Sequence, residues 1–226
     1  MPGGEPGETG DTRPPTSQTP EEPSTTTVPV RVIEVIERAG WGAAPADAGM
    51  AEHAIGRLTI HHTGVALEEN RLAPGRLRAH QAFHQNDRGW PDLAYHFAID
   101  RNGNIYEGRS PAFRGDTATN YNPTGHFLVV VEGNFDVEPT TETQLGSLRH
   151  LLAWAAGHYA VGVDSIKSHR DYAPGETSCP GDNLYPLVES GELARAVGLI
   201  VAQEATELIY LRGEEAVGRV AEIEAP

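Results

Sequence analysis

Between Gly125 and Gly133 the chain runs His-Phe-Leu-Val-Val-Val-Glu, with five consecutive apolar residues from Phe127 to Val131. A strand with one wet face alternates apolar and polar side chains, so this one must be covered on both faces. The rest of the pattern supplies the cover. RVIEVIERAGW opens the folded body near Arg31, and RLTIHHTG reads as a short strand of β-branched residues ended by Gly64. PGRLRAHQAFHQN fits a helix that starts at Pro74, where a missing N–H is harmless, with Leu77, His80 or Gln81, and His84 at helical spacing. GWPDLAYHFAID gives a turn and a second strand, and NGNIYEGR an Asn-Gly hairpin and a third. Thr141 with Gln144 forms a capping box before a helix carrying Leu145, Leu148, Leu152, Ala155 and Tyr159 on one face. SIKSHRDY reads as a last short strand entering a Pro/Gly loop. Because two strands share a hairpin, the expected fold is α/β, a single domain with a mixed central sheet flanked by helices on both sides.

The ends differ from this body. Residues 1–30 are rich in Pro, Thr, Gly and Glu, and have too few aliphatic side chains to offset their ordering entropy; a disordered tail is expected. The body spans residues 31–200. Residues 201–226 form an acidic extension in which ELIYLRGEEAVGRVAEI fits either a hairpin around Gly213 or a frayed helix. The formal charge is −15, with no cluster of Lys or Arg, which excludes a nucleic-acid partner because phosphate contacts need cations. There is no apolar run long enough to span a bilayer and no signal-peptide pattern in the sequence. The single cysteine, Cys179, excludes an intramolecular disulfide and leaves a buried thiol, a nucleophile or a metal ligand as its readings.

Candidate ligands for a metal are the pair His61-His62 at a strand end, His169 and Cys179. Catalytic zinc takes three protein ligands and leaves a fourth position open. Two imidazoles and one thiolate leave Zn²⁺ one net positive charge, enough to acidify a water or polarise a carbonyl. In a strand, His61 and His62 face opposite sides, so only one can reach the metal; alternation groups His62 with Leu58 and Ile60, and His61 with Thr59 and Thr63.

LTIHHTG, GWPDLAYHFAIDRNGNIYEGR, EGNF, QLGSLRHLLAWAA and SHRDYAPGETSCPGDNLYP, in this order after RAGWGA, together resemble the N-acetylmuramoyl-L-alanine amidases of the peptidoglycan recognition protein and phage-lysozyme type. The resemblance implies one Zn²⁺ per chain on His61, His169 and Cys179. It also implies a catalytic Tyr95, whose hydroxyl faces the scissile carbonyl, and Thr177 assisting the tetrahedral intermediate. His62, His84, Trp90 and His96 are expected to line the groove for glycan or stem peptide. The implied reaction is hydrolysis of the amide between N-acetylmuramic acid and L-alanine in peptidoglycan, outside the cytoplasm, by a monomer. Three other readings compete. One is a recognition module that binds without cutting, which in this family typically lacks the cysteine ligand. Another is a cytosolic recycling amidase acting on anhydromuropeptides, which usually has Asp where Cys179 stands and Glu where Tyr95 stands. The third is a cysteine hydrolase, for which there is no local nucleophile signature.

Overall fold

The computed structural model describes residues 1, 3, 4 and 28–226; most of the expected disordered tail therefore lies outside the described residues. Seven strands form one sheet: β1 (Val30–Ile36), β2 (Arg57–His62), β3 (Phe97–Ile99), β4 (Ile105–Glu107), β5 (His126–Val131), β6 (Lys167–Ser168) and β7 (Ala205–Leu211), in the spatial order β6-β2-β5-β3-β4-β1-β7. All neighbours are parallel except β3 and β4. That antiparallel pair is the expected hairpin. Asp100 ties its loop by accepting from the Asn102 and Asn104 backbone N–H groups and from the Tyr106 hydroxyl. Gly103 sits at φ +84° at the loop tip, where a Cβ would come within 2.7 Å of Ser147 Oγ.

Six helices cover the sheet: α1 (Ala73–Asn86), α2 (Glu142–His158), α3 (His169–Tyr172), α4 (Tyr185–Glu189), α5 (Glu192–Gln203) and α6 (Gly213–Glu224). All six residues of β5 are buried, as an uninterrupted apolar run requires. One face of the sheet, built from Leu58, Ile60, Phe97, Ile99, Phe127, Val129 and Val131, packs on Leu148, Leu151, Leu152 and Ala155 of α2 and on α5 beyond it. The other face, with Ala98, Tyr106 and Val130, packs on Trp41, on Leu77 of α1 and on Ala216 and Val220 of α6. The mixed, doubly covered α/β sheet matches the expectation. Thr141 Oγ1 accepts from the Gln144 N–H and the Thr141 N–H donates in return to Gln144 Oε1, which closes the capping box of α2.

Two segments depart from it. Residues 205–224 make neither a hairpin nor a frayed helix. β7 pairs in parallel along the whole of β1, and α6 returns across the α1 face, where Ala216 meets Gly40. Leu208 and Tyr210, half-buried, pack on one core cluster and Leu211 is buried in the other, which supplies what the charge-rich sequence obscured. SIKSHRDY is strand only at Lys167–Ser168. Asp171 accepts from both the N–H and the hydroxyl of Ser168, turning the chain into α3 at His169. Among the described residues no helix is long and apolar enough to cross a membrane.

Candidate metal centre

The end of β2 carries His61 and His62 on opposite sides of the sheet. His61 joins Thr59 on the α1 face, while the ring of His62 turns to Phe135 and accepts its N–H at 3.3 Å. Pairing of β6 with β2 (Ile60 with Ser168) brings the first residue of α3, His169, beside His61, with ring centroids 4.8 Å apart. The loop after α3 folds back so that the Arg170 N–H donates to the Cys179 carbonyl at 2.8 Å, and the His62 N–H donates to Cys179 Sγ at 3.3 Å. The ligand atoms of His61, His169 and Cys179 thus lie within 4.8 Å of one another. Sequence reasoning nominated these three together, and the fold assembles them from three separate elements.

The donor set fits zinc. Sγ of Cys179 lies 3.6 Å from Nδ1 of His61. Two ligands at ordinary Zn–S and Zn–N lengths in a tetrahedron stand about 3.5 Å apart. Burial holds His61 well below the ordinary imidazole value and His169 down at about 4, so both rings are neutral with lone pairs free at neutral pH. Burial also pushes the Cys179 thiol up to about 12, against the His62 N–H that donates to it. A buried thiol of this kind ionises when a cation takes the proton's place.

Tyr95 flanks the cluster, its ring 5.1 Å from that of His61, and burial raises its phenol so that it keeps its proton. His84 lies tilted against Trp90 at 4.8 Å and meets the edge of Tyr95 at 5.9 Å, so these three form one wall beside the cluster. Thr177 accepts the Cys179 N–H at 3.1 Å, which shapes the ligand loop and leaves its own proton free to donate. Two expected groove residues are elsewhere. His96 is wholly buried, with Nε2 against the Phe113 carbonyl and Nδ1 accepting from the Leu128 N–H; both nitrogens serve the backbone. His62 faces Phe135 on the opposite side from His61 for the reason already given, the alternation of the strand. The sequence reading missed Thr117, Thr119 and Tyr121, which crowd His169 from a loop with no periodicity, and Glu132, a buried carboxyl.

The fold and the cluster define an α/β protein in which a strand end, a helix start and a loop bring together three residues able to hold a metal ion. Residues 51–182 match the family model for N-acetylmuramoyl-L-alanine amidase, and the chain belongs to that family. It is 30% identical over 157 residues to peptidoglycan-recognition protein SC2 of Drosophila melanogaster, covering 68% of this chain and 83% of that one. It is 32% identical over 162 residues to the N-acetylmuramoyl-L-alanine amidase of Homo sapiens, covering 68% of this chain and 27% of that longer protein. Peptidoglycan recognition protein LE, solved in complex with tracheal cytotoxin, a monomeric diaminopimelic acid-type peptidoglycan, superposes with a TM-score of 0.62 at 28% identity, covering 69% of this chain and 92% of that one.

Proposed function

We propose that the chain is a zinc-dependent amidase that hydrolyses the bond between N-acetylmuramic acid and L-alanine in peptidoglycan. The observation that carries this reading is the convergence of His61, His169 and Cys179, with Tyr95 alongside. Bound there, Zn²⁺ supplies Lewis acidity toward the scissile carbonyl and an acidified water. The chain's own residues do the rest. His61 and His169 are held neutral by burial and offer lone pairs, while Cys179, a protonated thiol without the metal, would bring the one negative charge once the cation took its proton's place. Tyr95 stays protonated and donates to the carbonyl oxygen as charge grows on it. Thr177, anchored by the Cys179 N–H, has one hydroxyl proton to offer the same oxygen. His84 and Trp90 form the wall against which glycan or stem peptide rests. All of these groups come from one chain, which suits a monomer. Since polymeric peptidoglycan lies outside the cytoplasm, the site of action is extracytoplasmic.

Recognition without cleavage is the second reading, favoured by the relatives named recognition proteins. Digestion of purified peptidoglycan, followed by mass spectrometry, separates the two. Cleavage should release stem peptides with free L-alanine amines and no new reducing sugars. Tight binding with no released peptide would leave the recognition module, and new reducing ends without peptides would exclude an amidase.

A further inference from the structure

The two histidines of the cluster are held very differently. His61 Nε2 is buried with no hydrogen-bond partner. His169 is held along its Nε2 edge by the segment 117–121. Its Nε2 lies 2.7 Å from Thr119 Oγ1 and 3.4 Å from Thr117 Oγ1, and the edge of Tyr121 meets its ring at 5.2 Å. The two hydroxyls are themselves linked at 2.8 Å, and the Thr119 N–H donates to Thr117 Oγ1 at 3.2 Å. One residue on, Asn120 donates through both its N–H and its side-chain amide to Glu176, in the loop that carries Cys179. The segment is therefore fastened to the ligand loop at one point and to the ligand ring at the next.

We infer that Thr119 is a positioning residue for His169, its hydroxyl holding the Nε2 edge so that Nδ1 faces the metal. A neutral imidazole has one bare nitrogen, and which one it is depends on the hydrogen bond made by the other. When the Thr119 proton points to Thr117, its oxygen has a lone pair for Nε2–H, which fixes both the tautomer and the ring plane. Outer partners of this kind set metal affinity, and their loss typically costs about 10–100-fold. Thr117 Oγ1 accepts the Thr119 N–H, and in this arrangement it takes the Thr119 hydroxyl proton as well.

The inference rests on the zinc reading, and the test separates the two. Zinc dissociation constants of the full chain, wild type, Thr119→Val and Thr119→Ser, are measured by competition with a chromophoric chelator. Thr119→Val keeps the shape and loses the hydroxyl, so zinc binding should weaken by about 10–100-fold, with Thr119→Ser close to wild type. Melting of the metal-free proteins should be the same for all three. Valine binding zinc within about twofold of wild type, or serine failing to rescue, overturns the inference while leaving the zinc site intact. A wild-type chain that takes up no zinc overturns the zinc reading itself. Ring-nitrogen NMR of the zinc-bound wild type, which needs no variant, should find His169 protonated at Nε2 and metal-bound at Nδ1; the reverse tautomer would refute the role of Thr119.

Discussion

The two faces of the sheet are made by alternate residues of the same strands, yet they hold unlike things. Toward α2 the strands present Leu58, Ile60, Phe97, Ile99, Phe127, Val129 and Val131, an unbroken apolar layer. Toward α1 the same strands present Thr59, His61, Tyr106, His126 and Glu132, with only Ala98, Leu128 and Val130 between them. The first face contributes burial, each large side chain worth roughly 1.5–3 kcal/mol. The second buries polar groups that cost free energy unless partnered, and nearly all are: Arg109 donates to the Leu93, Asp92 and Arg114 carbonyls and to Asp116, and Gln81 to Asp92. Among the strand residues on this second face, His61 Nε2 and both carboxyl oxygens of Glu132 have no partner. One face holds the fold together and the other uses that stability to keep chemical groups dry.

If that division holds, removing a ligand should abolish function while the fold survives. Cys179→Ser should drop zinc from close to one per chain to a small fraction, because a neutral hydroxyl is a far poorer zinc ligand than a thiolate. Amidase activity should fall by more than about 10²-fold, beyond the usual cost of losing an outer partner. Metal analysis beside circular dichroism checks both halves; full zinc occupancy in the variant would remove Cys179 from the site. Tyr95→Phe keeps the ring that packs on His61 and loses only the donor. A benefit realised in the transition state then disappears, and kcat should fall by roughly 10²–10³ with zinc content unchanged. Retained turnover would reduce Tyr95 to a packing residue.

The opposite face should answer in the opposite way. Leu148→Ala on α2 opens a cavity in the apolar layer and should cost about 2–5 kcal/mol in chemical denaturation. Zinc affinity of the folded variant should stay within about twofold of wild type, since a dry core truncation on the far side of the sheet leaves the ligand shell untouched. A large loss of zinc affinity would mean that the faces are coupled.

This division also explains what was legible in the sequence. Burial on both sides of β5, the capping box at Thr141 and the Asn-Gly loop are local signals, and local physics produced those elements. The three candidate ligands were legible through the resemblance carried by LTIHHTG and SHRDYAPGETSCPG, since ten histidines in the chain make spacing alone a weak signal. Thr119 was not, since a threonine in a polar loop looks the same whether or not a distant strand and helix bring an imidazole to it. His96 failed for the converse reason: its chemistry suggested a groove, but two backbone groups from β5 and the Phe113 turn claim its nitrogens. The strand β7 was hidden because the partner that makes it a strand, β1, lies at the other end of the chain.

The smallest effect expected is also the one that tests the second face most directly. Neither carboxyl oxygen of Glu132 has a hydrogen-bond partner; the nearby Thr63 hydroxyl exchanges hydrogen bonds with the Gly133 backbone instead. Burial pushes Glu132 up from its ordinary 4.5 to about 8, against the pull of the Arg76 guanidinium. The folded chain therefore keeps a proton that the unfolded chain has released between about pH 4.5 and 8. With more protons bound in the folded state, stability falls as pH rises through that window: the contribution is full below 4.5 and lost above 8. The buried histidines act with the opposite sign. His169 and His126, both lowered to about 4, and His84, lowered to about 3, cost stability as pH falls below their ordinary 6.5, so they add no slope above neutrality. Between pH 7 and 9 Glu132 is thus isolated from them. Glu132→Gln keeps the shape without the titration, so its melting temperature should gain on wild type across that range, by an amount on the order of a few °C. Parallel melting curves from pH 7 to 9 would show that Glu132 finds a partner in solution, and that the polar face is more fully satisfied than its geometry indicates.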